Sequence, residues 1–429
     1  MKNYKTINRW ASSYKKKFFF KVKKKKLSKL KKWYITSNKI YHASRKFFQV
    51  IGVRVKSNFH KNKNWDQPLI FQNEVGILGI LRRNNKGIFQ YLIQAKMEPG
   101  NLNKLQLSPT VQATKSNFTR VHSGKKVKYL NFFKNIKKKQ ILVNSIQSEH
   151  GSRYLSKFNR NMIVDVNKKI KSDQNYIWVS KLDISKLVKK NNLLNMDTIS
   201  VLSCAIKKNN HDIPENNLKK IQDWFYILKK KYFITRKIIP ISKIRNWKID
   251  KKSIFHKNKK HFSIIGIKVK TDSREVSEWE QPIIHEKRIG LSGFIIKEVD
   301  STYHYLVSFS LKAGLKYPGL SCTVRTSNIE NSLNDYNYKD LMKLYLKRYF
   351  INNKSGKIKY NKIHSDEGGR FYHSQNKYVV VQIDKNEKIK INNNYIWMSH
   401  NQVLHFIKKG IFNIDARLLF ACFNMKNIL

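Results

Sequence analysis

Two stretches of the chain gather residues able to do chemistry. The first opens with Glu98-Pro99-Gly100-Asn101 and continues from Ser108 to His122 as S-P-T-V-Q-A-T-K-S-N-F-T-R-V-H, with Thr114, Lys115, Ser116, Asn117, Phe118, Thr119 and Arg120 at its centre. Hydroxyls, amides and one arginine among turn residues suit a polyhydroxylated, phosphorylated ligand; the plainer alternative is a polar loop on a sheet surface. The second reads Gln147-Ser148-Glu149-His150-Gly151-Ser152-Arg153-Tyr154 and is answered by Ser365-Asp366-Glu367-Gly368-Gly369-Arg370-Phe371-Tyr372. Carboxylate, glycine and arginine this close together offer a base, a close approach of backbone to ligand, and a planar cation matched to phosphate or carboxylate. Here the plainer alternative is a Gly-rich hairpin with a solvated Glu–Arg pair.

Other chemistries find less support. Arg274-Glu275-Val276-Ser277-Glu278 looks like the middle of a Nudix box, whose carboxylates bind magnesium for diphosphate hydrolysis. That box needs glutamates where this chain has Gly266 and Trp279, so diphosphate hydrolysis is not expected. Cys204, Cys322 and Cys422 are the only cysteines and none has a ligand spacing, which argues against a disulfide scaffold and a zinc site and fits a reducing cytoplasm.

The elements that must position these residues are written twice. A shift of 214 residues places Trp10 on Trp224, Trp33 on Trp247, His42 on His256 and Trp65 on Trp279, and aligns Gln67-Pro68 with Gln281-Pro282. Further on the shift becomes 218, pairing Glu149 with Glu367, Gly151 with Gly369, Asn195 with Asn413, Asp197 with Asp415 and Cys204 with Cys422. A unit this long implies two tandem domains, 1–211 and 212–429, related by a pseudo-two-fold, rather than a solenoid. Within each, Ile51, Val53 and Val55, and again Ile265, Ile267 and Val269, alternate with Gly, Arg or Lys at the period of a strand. Stretches 304–311 and 377–383 also read as strands. Tyr176-Ile177-Trp178 and Tyr395-Ile396-Trp397 run into Ser180-x-x-Asp183 and Ser399-x-x-Gln402, the pattern of a capped helix start, and Gly410 closes the second helix. Each half is therefore expected to be α+β, a mostly antiparallel or mixed sheet with segregated helices.

The chain has 429 residues, with 88 Lys+Arg against 27 Asp+Glu and a formal charge of +61. An apolar content of 41% supports folded cores rather than wholesale disorder. The lysines spread through both halves along with abundant Asn and Ile, as AT-rich codon usage would produce, and no RNP, zinc-finger or P-loop pattern accompanies them. A basic nucleic-acid-binding protein is the alternative from another class. Phe18 to Phe20 is followed at once by Lys21 and Lys23 to Lys26, so no apolar core of a secretory signal forms. The basic lead reads as a Lys-rich solvated helix face, with a segment that lies on an anionic bilayer or RNA as the alternative, and no apolar run is long enough for a membrane span.

Taken together, W-x-Q-P, E-P-G-N, P-T-V-Q-A-T-x-S-N-x-T-R-V-H, Q-S-E-x-G-S-R and N-R-N in the first half, with R-E-V-x-x-W-x-Q-P and E-G-G-R-F-Y-H in the second, resemble the NDP-hexose 2,3-dehydratases of deoxysugar biosynthesis. The resemblance covers nearly the whole chain. It implies two Nudix-like domains without the metal box, a homodimer, and a pocket for a dTDP-sugar in each half. It also implies dTDP-4-dehydro-6-deoxy-α-D-glucose as substrate, β-elimination of water without metal or redox cofactor, and an NAD(P)H-dependent 3-ketoreductase to trap the labile diketo product. A catalytically inactive nucleotide-sugar-binding homologue is the alternative within the family.

On that resemblance Glu149, or else His150, is the acid or base. Thr114 to Arg120 bind sugar hydroxyls and the developing oxyanion. Arg153 and, in the other pocket, Arg370 face the diphosphate, with Ser148, Gly151 and Ser152 and their counterparts Asp366 to Tyr372 around them. Trp65 and Trp279 either pack on the nucleotide or are duplicated core residues. Two departures matter: Lys312-Ala313-Gly314 replaces the first half's Glu98-Pro99-Gly100, and Cys322-Thr323-Val324-Arg325 replaces Pro109-Thr110-Val111-Gln112. The first pocket is therefore expected to be the catalytic one and the second to be eroded. Ile199 stands where the family pattern has an arginine, which Arg417 keeps in the second half, so the first-half helix is expected to be less firmly anchored.

Overall fold

The computed structural model describes residues 4–114, 126–167, 170, 172–333, 341–352 and 355–429. Lys115, Ser116, Asn117, Phe118, Thr119 and Arg120, six of the expected ligand-binding residues, lie outside them.

The chain is α+β, and each repeat contributes one seven-stranded mixed sheet of the same topology. In the first repeat the order is Ile141–Ser148, Phe158–Asp165, Gly76–Asn85, Ile88–Met97, Tyr176–Ser180, with Leu105–Ser108 and Val111–Ala113 alongside. Lys357–Ser365, Gln375–Gln382, Gly290–Val299, Thr302–Ser310 and Tyr395–Ser399 repeat it in the second, flanked by Gly319–Ser321 and Val324–Thr326. Only Phe158–Asp165 with Gly76–Asn85, and Gln375–Gln382 with Gly290–Val299, run parallel within these sheets.

Both faces of each central strand are covered, so its apolar residues run almost without interruption. Leu78, Ile80, Tyr91 and Ile93 face a central core shared by both repeats, while Leu81, Leu92, Met162 and Val164 pack outward around Phe133. In the shared core the helices Met196–Ser203 and Ile414–Asn424 lie against each other. Both are capped by asparagine, Asn195 and Asn413. The preceding helices start as expected: Ser180 accepts from the Asp183 amide, and Ser399 forms a full capping box with Gln402. Gly410, at φ +70°, closes the latter.

The repeats do not close separately. Phe20–Lys25 of the first adds to the second six-stranded sheet along Ser263–Thr271, and Ile234–Ile239 of the second adds to the first along Gln49–Ser57, both antiparallel. Duplicated tryptophans tie the same exchange. Trp33 donates to the Glu280 carbonyl and Trp247 to the Asp66 carbonyl, each at 2.8 Å. The basic N-terminal helix Tyr4–Lys17 turns Ile7, Ala11 and Tyr14 into the shared core and leaves its lysines outside.

Ile199 does not loosen the first-half helix. It is fully buried, and Arg417 reaches across from the second repeat to Ser200 Oγ (2.5 Å) and the Ser148 carbonyl (3.1 Å). One arginine thus anchors both helices.

Candidate functional site

Between the repeats lies an open cleft of about 1100 Å³. Its floor comes from strand ends of the first sheet: Lys96 at the end of Ile88–Met97 and Glu98 just after it, Gln112 and Thr114 at Val111–Ala113, and Asn159 on Phe158–Asp165. Glu149 enters just after Ile141–Ser148, and Asp197 from the first turn of Met196–Ser203. The second repeat supplies Arg274, Trp279, Glu367, Gly369 and Arg370, and the N-terminal region adds Trp33, Phe47 and Phe48.

Each repeat's Glu-Gly-Arg loop docks on a turn glycine of the other repeat, Gly100 of Glu98-Pro99-Gly100 or Gly314 of Lys312-Ala313-Gly314. Gly100 N–H donates to the Gly368 carbonyl at 2.7 Å, and Gly314 N–H to the Gly151 carbonyl at 2.6 Å. A Cβ on Gly100 would fall 1.7 Å from the Phe371 carbonyl oxygen, and one on Gly314 1.6 Å from that of Tyr154. Only glycine lets the backbones approach this closely.

This interlocking corrects the pairing of the loops. The amide of Glu149 bonds the Lys157 carbonyl as the amide of Asp366 bonds that of Ser374. Asn159 holds Glu149 Oε1 at 2.8 Å as Asn376 holds Asp366 Oδ1 at 3.0 Å. The counterpart of Glu149 is therefore Asp366, and that of His150 is Glu367, one residue away from the register of Glu149 on Glu367. Successive residues then face opposite sites: Glu149 and Glu367 line the cleft, whereas His150 and Asp366 line a cavity of about 10 Å³ in the second repeat.

That cavity is too small for more than a water, because charged side chains fill the position equivalent to the cleft. Arg325 bonds Asp415 through Nε and Nη2 at 3.0 and 3.3 Å, and His150 Nε2 lies 3.2 Å from Asp366 Oδ1. Burial opposes charge on His150, but Asp366 and Asp415 outweigh it and raise the imidazole above its ordinary value. Asp366 is lowered in turn against its burial, chiefly by His150. Burial lowers the ammonium of Lys312, which replaces Glu98, to about 8.

The arginines divide similarly. Arg153 is tied to Glu286 at 2.5 Å, stacks on Phe262 and borders the small cavity with Ser152 and Phe371. It does not line the cleft. Arg370 does, with its guanidinium 4.2 Å over Phe48 and its Nε buried without a partner among the described residues. In both W-x-Q-P motifs the indole donates to the glutamine two residues on at 2.9 Å, and that glutamine reaches a loop carbonyl, Ser152 or Gly369. Trp279 lines the cleft, while Trp65 packs with Val53, Leu69 and Ala313. Gly151 packs against Leu315, Ser148 is buried beneath the loop, and Tyr372 borders a separate open surface pocket with Lys24 over its ring.

Within the cleft the carboxyl groups of Asp197, Glu367 and Glu98 are driven apart. Burial raises Asp197 well above the carboxylate range, helped by Glu367, Glu149 and Glu98. Glu367 is also raised by burial, against the pull of Arg370, and accepts Tyr154 O–H at 3.0 Å. For Glu98 burial is outweighed by Lys96, Arg274 and Arg370, and its carboxyl stays low. Glu149 Oε2 is buried and faces no hydrogen-bond partner among the described residues. Carboxyl groups raised beside one held low, in one cleft, are the arrangement that proton transfer in both directions uses.

Lys96, Asn159, Asp197 and Arg274 were not among the residues expected at the site. Asn159 sits in the N-R-N string and Asp197 in a position duplicated as Asp415, and both were signals of a kind. Arg274 belongs to the incomplete Nudix-like stretch. Its guanidinium donates to the Met97 carbonyl at 2.8 Å, steadying the turn that carries Glu98.

A family model described as NDP-hexose 2,3-dehydratase matches residues 4–205 and again residues 218–423. A dTDP-4-dehydro-6-deoxy-alpha-D-glucopyranose 2,3-dehydratase of Streptomyces violaceoruber is 32% identical, over 94% of this chain and 93% of its own. Proteins of the same name from Saccharopolyspora spinosa and Amycolatopsis orientalis are each 31% identical, over 94% and 97% of this chain and 87% and 89% of theirs.

Proposed function

The chain belongs to the NDP-hexose 2,3-dehydratase family, and on that premise we propose that it removes water from dTDP-4-dehydro-6-deoxy-α-D-glucopyranose, as a hydro-lyase of deoxysugar biosynthesis. The C4 ketone acidifies the C3 proton. A base takes that proton to give an enediolate, whose electron pair expels the C2 hydroxyl once an acid protonates it. The enol formed tautomerises to a 3,4-diketo-2,6-dideoxyhexose still attached to dTDP.

The observation that carries this reading is the cleft in which Glu149, held by Asn159 through one oxygen, offers the other as base beside Asp197 and Glu367. The indoles of Trp33 and Trp279 that line the cleft suit a thymine base, and Arg370, held over Phe48, suits the diphosphate. The first-repeat cleft is the catalytic site, and residues 1–211 and 212–429 are the two units whose faces build it. Each unit is Nudix-like, the working assembly is a homodimer in the cytoplasm, and an NAD(P)H-dependent 3-ketoreductase consumes the diketone.

Incubation with the sugar nucleotide in D₂O tests the reaction. Loss of the C3 proton signal and a mass decrease of one water are expected. An unchanged substrate, with tight salt-sensitive RNA binding instead, would overturn the assignment.

A further inference from the structure

Asp197 and Asp415 occupy the same place in the two repeats, two residues after the helix-capping asparagines Asn195 and Asn413. Both are nearly fully buried, at 3% and 4% exposure. Their surroundings differ in one decisive respect. Asp415 is clasped by Arg325, which with His150 and Lys312 overcomes burial and holds it ionised. The matching strand position in the first repeat is Gln112, whose amide oxygen is taken by Lys96 Nζ at 2.5 Å. Among the described residues no cation is paired with Asp197.

The charges that act most on Asp197 are those of Glu367, Glu149 and Glu98, with Lys96 opposing them. Burial and three carboxyl groups outweigh the ammonium and the positive end of the helix. The carboxyl of Asp197 borders the open cleft rather than a sealed core. The duplication thus contains its own control: the same aspartate is locked as a structural anion in one repeat and left as an unpaired acid at the cleft in the other.

We propose that Asp197 is a catalytic residue, the general acid that delivers a proton to the departing C2 hydroxyl. This rests on the dehydratase reading above. Glu149 takes the C3 proton, the enediolate pair re-forms the C4 carbonyl and makes the C2=C3 bond, and the C2–O bond breaks. The Asp197 proton joins the leaving hydroxyl, so that water departs, Asp197 is left ionised and Glu149 protonated. Return of one proton from Glu149 to Asp197 through solvent restores the pair.

Deprotonation and elimination can be read separately in the full-length chain, with dTDP-4-dehydro-6-deoxyglucose in D₂O. For Asp197→Asn, water loss should fall by about 100-fold or more, the usual contribution of a general acid, while deuterium continues to enter C3 within about tenfold of the wild-type deprotonation rate. Gln112→Arg, which rebuilds around Asp197 the pair seen at Asp415, should lose elimination in the same way with Asp197 still present. It therefore decides the matter if the asparagine variant fails to fold. Water loss within about threefold of wild type in either folded variant would overturn the assignment, as would an equal loss of exchange and elimination. If the wild-type chain neither exchanges nor eliminates, the dehydratase premise falls and this proposal with it.

Discussion

Glu149 and His150 are adjacent in the chain yet their side chains serve different cavities. Glu149 lines the open cleft, and His150 sits 3.2 Å from Asp366 in the filled cavity of the second repeat. Two consecutive residues of one motif thus carry separate duties, and their variants should behave differently.

Glu149→Gln keeps the hydrogen bond to Asn159 and removes the base. Turnover should fall by about 100-fold or more, with C3 exchange in D₂O falling in parallel. Turnover within about threefold of wild type would show that Glu149 is not the base.

His150→Asn should do the reverse. It leaves Asp366 and Asp415 with less compensation for their buried charge, a loss of about 3–5 kcal/mol by analogy with other broken buried pairs. Thermal unfolding should drop by several degrees while kcat at low temperature stays within about threefold. A large kcat effect without a stability effect would contradict the placement of the ring.

The pH dependence of stability follows from the signs of the shifts. Asp197 and Glu367 titrate higher folded than unfolded, so their contribution is full below about pH 4 and is lost as pH rises toward their folded values. His150 is also raised, so its contribution is full below about pH 6.5 and declines above. Asp366, Asp415 and Glu98 are lowered, and theirs is present above about pH 4 and lost in acid. Histidines lowered by burial, among them His60, His261, His285 and His364, act the other way and gain stability up to about pH 6.5. The expectation is therefore differential: between about pH 5 and 8 the melting temperature of the wild type should fall relative to that of Asp197→Asn. An identical slope for the two would count against the neutral state of Asp197.

Arg370 and Arg153 are matched in sequence and unmatched in surroundings. Arg370→Ala should weaken dTDP binding by about tenfold or more, the range for a lost charge-assisted contact. Arg153→Ala frees Glu286 and should lower the melting temperature while leaving dTDP affinity within about twofold. Titration calorimetry on both variants separates the two roles.

Much of this was legible in the sequence because tryptophans, glycines and capping residues carry positional information. The duplication, the strands at 49–57 and 263–271 and the helix starts at Ser180 and Ser399 all follow from spacing. Other features could not follow from it. Counting along the chain paired Glu149 with Glu367, since a one-residue difference in loop length is invisible until hydrogen bonds fix the register. The site draws Arg370 and Glu367 from the far repeat, and contacts across more than two hundred residues leave no periodicity. The filled second cavity was foreshadowed by Lys312 and Arg325, both larger and more charged than a ligand pocket would tolerate there.

The exchange of Phe20–Lys25 for Ile234–Ile239 has a kinetic consequence. A ribosome releasing this chain exposes the first sheet's missing edge until roughly 180 further residues have emerged. Contacts between such distant segments slow folding, and an unpaired edge is a site for mispairing with other chains. The first repeat made alone should therefore collect as aggregates or as intertwined pairs that borrow the strand from each other. The cleft, built from both repeats, should be among the last features of the molecule to form.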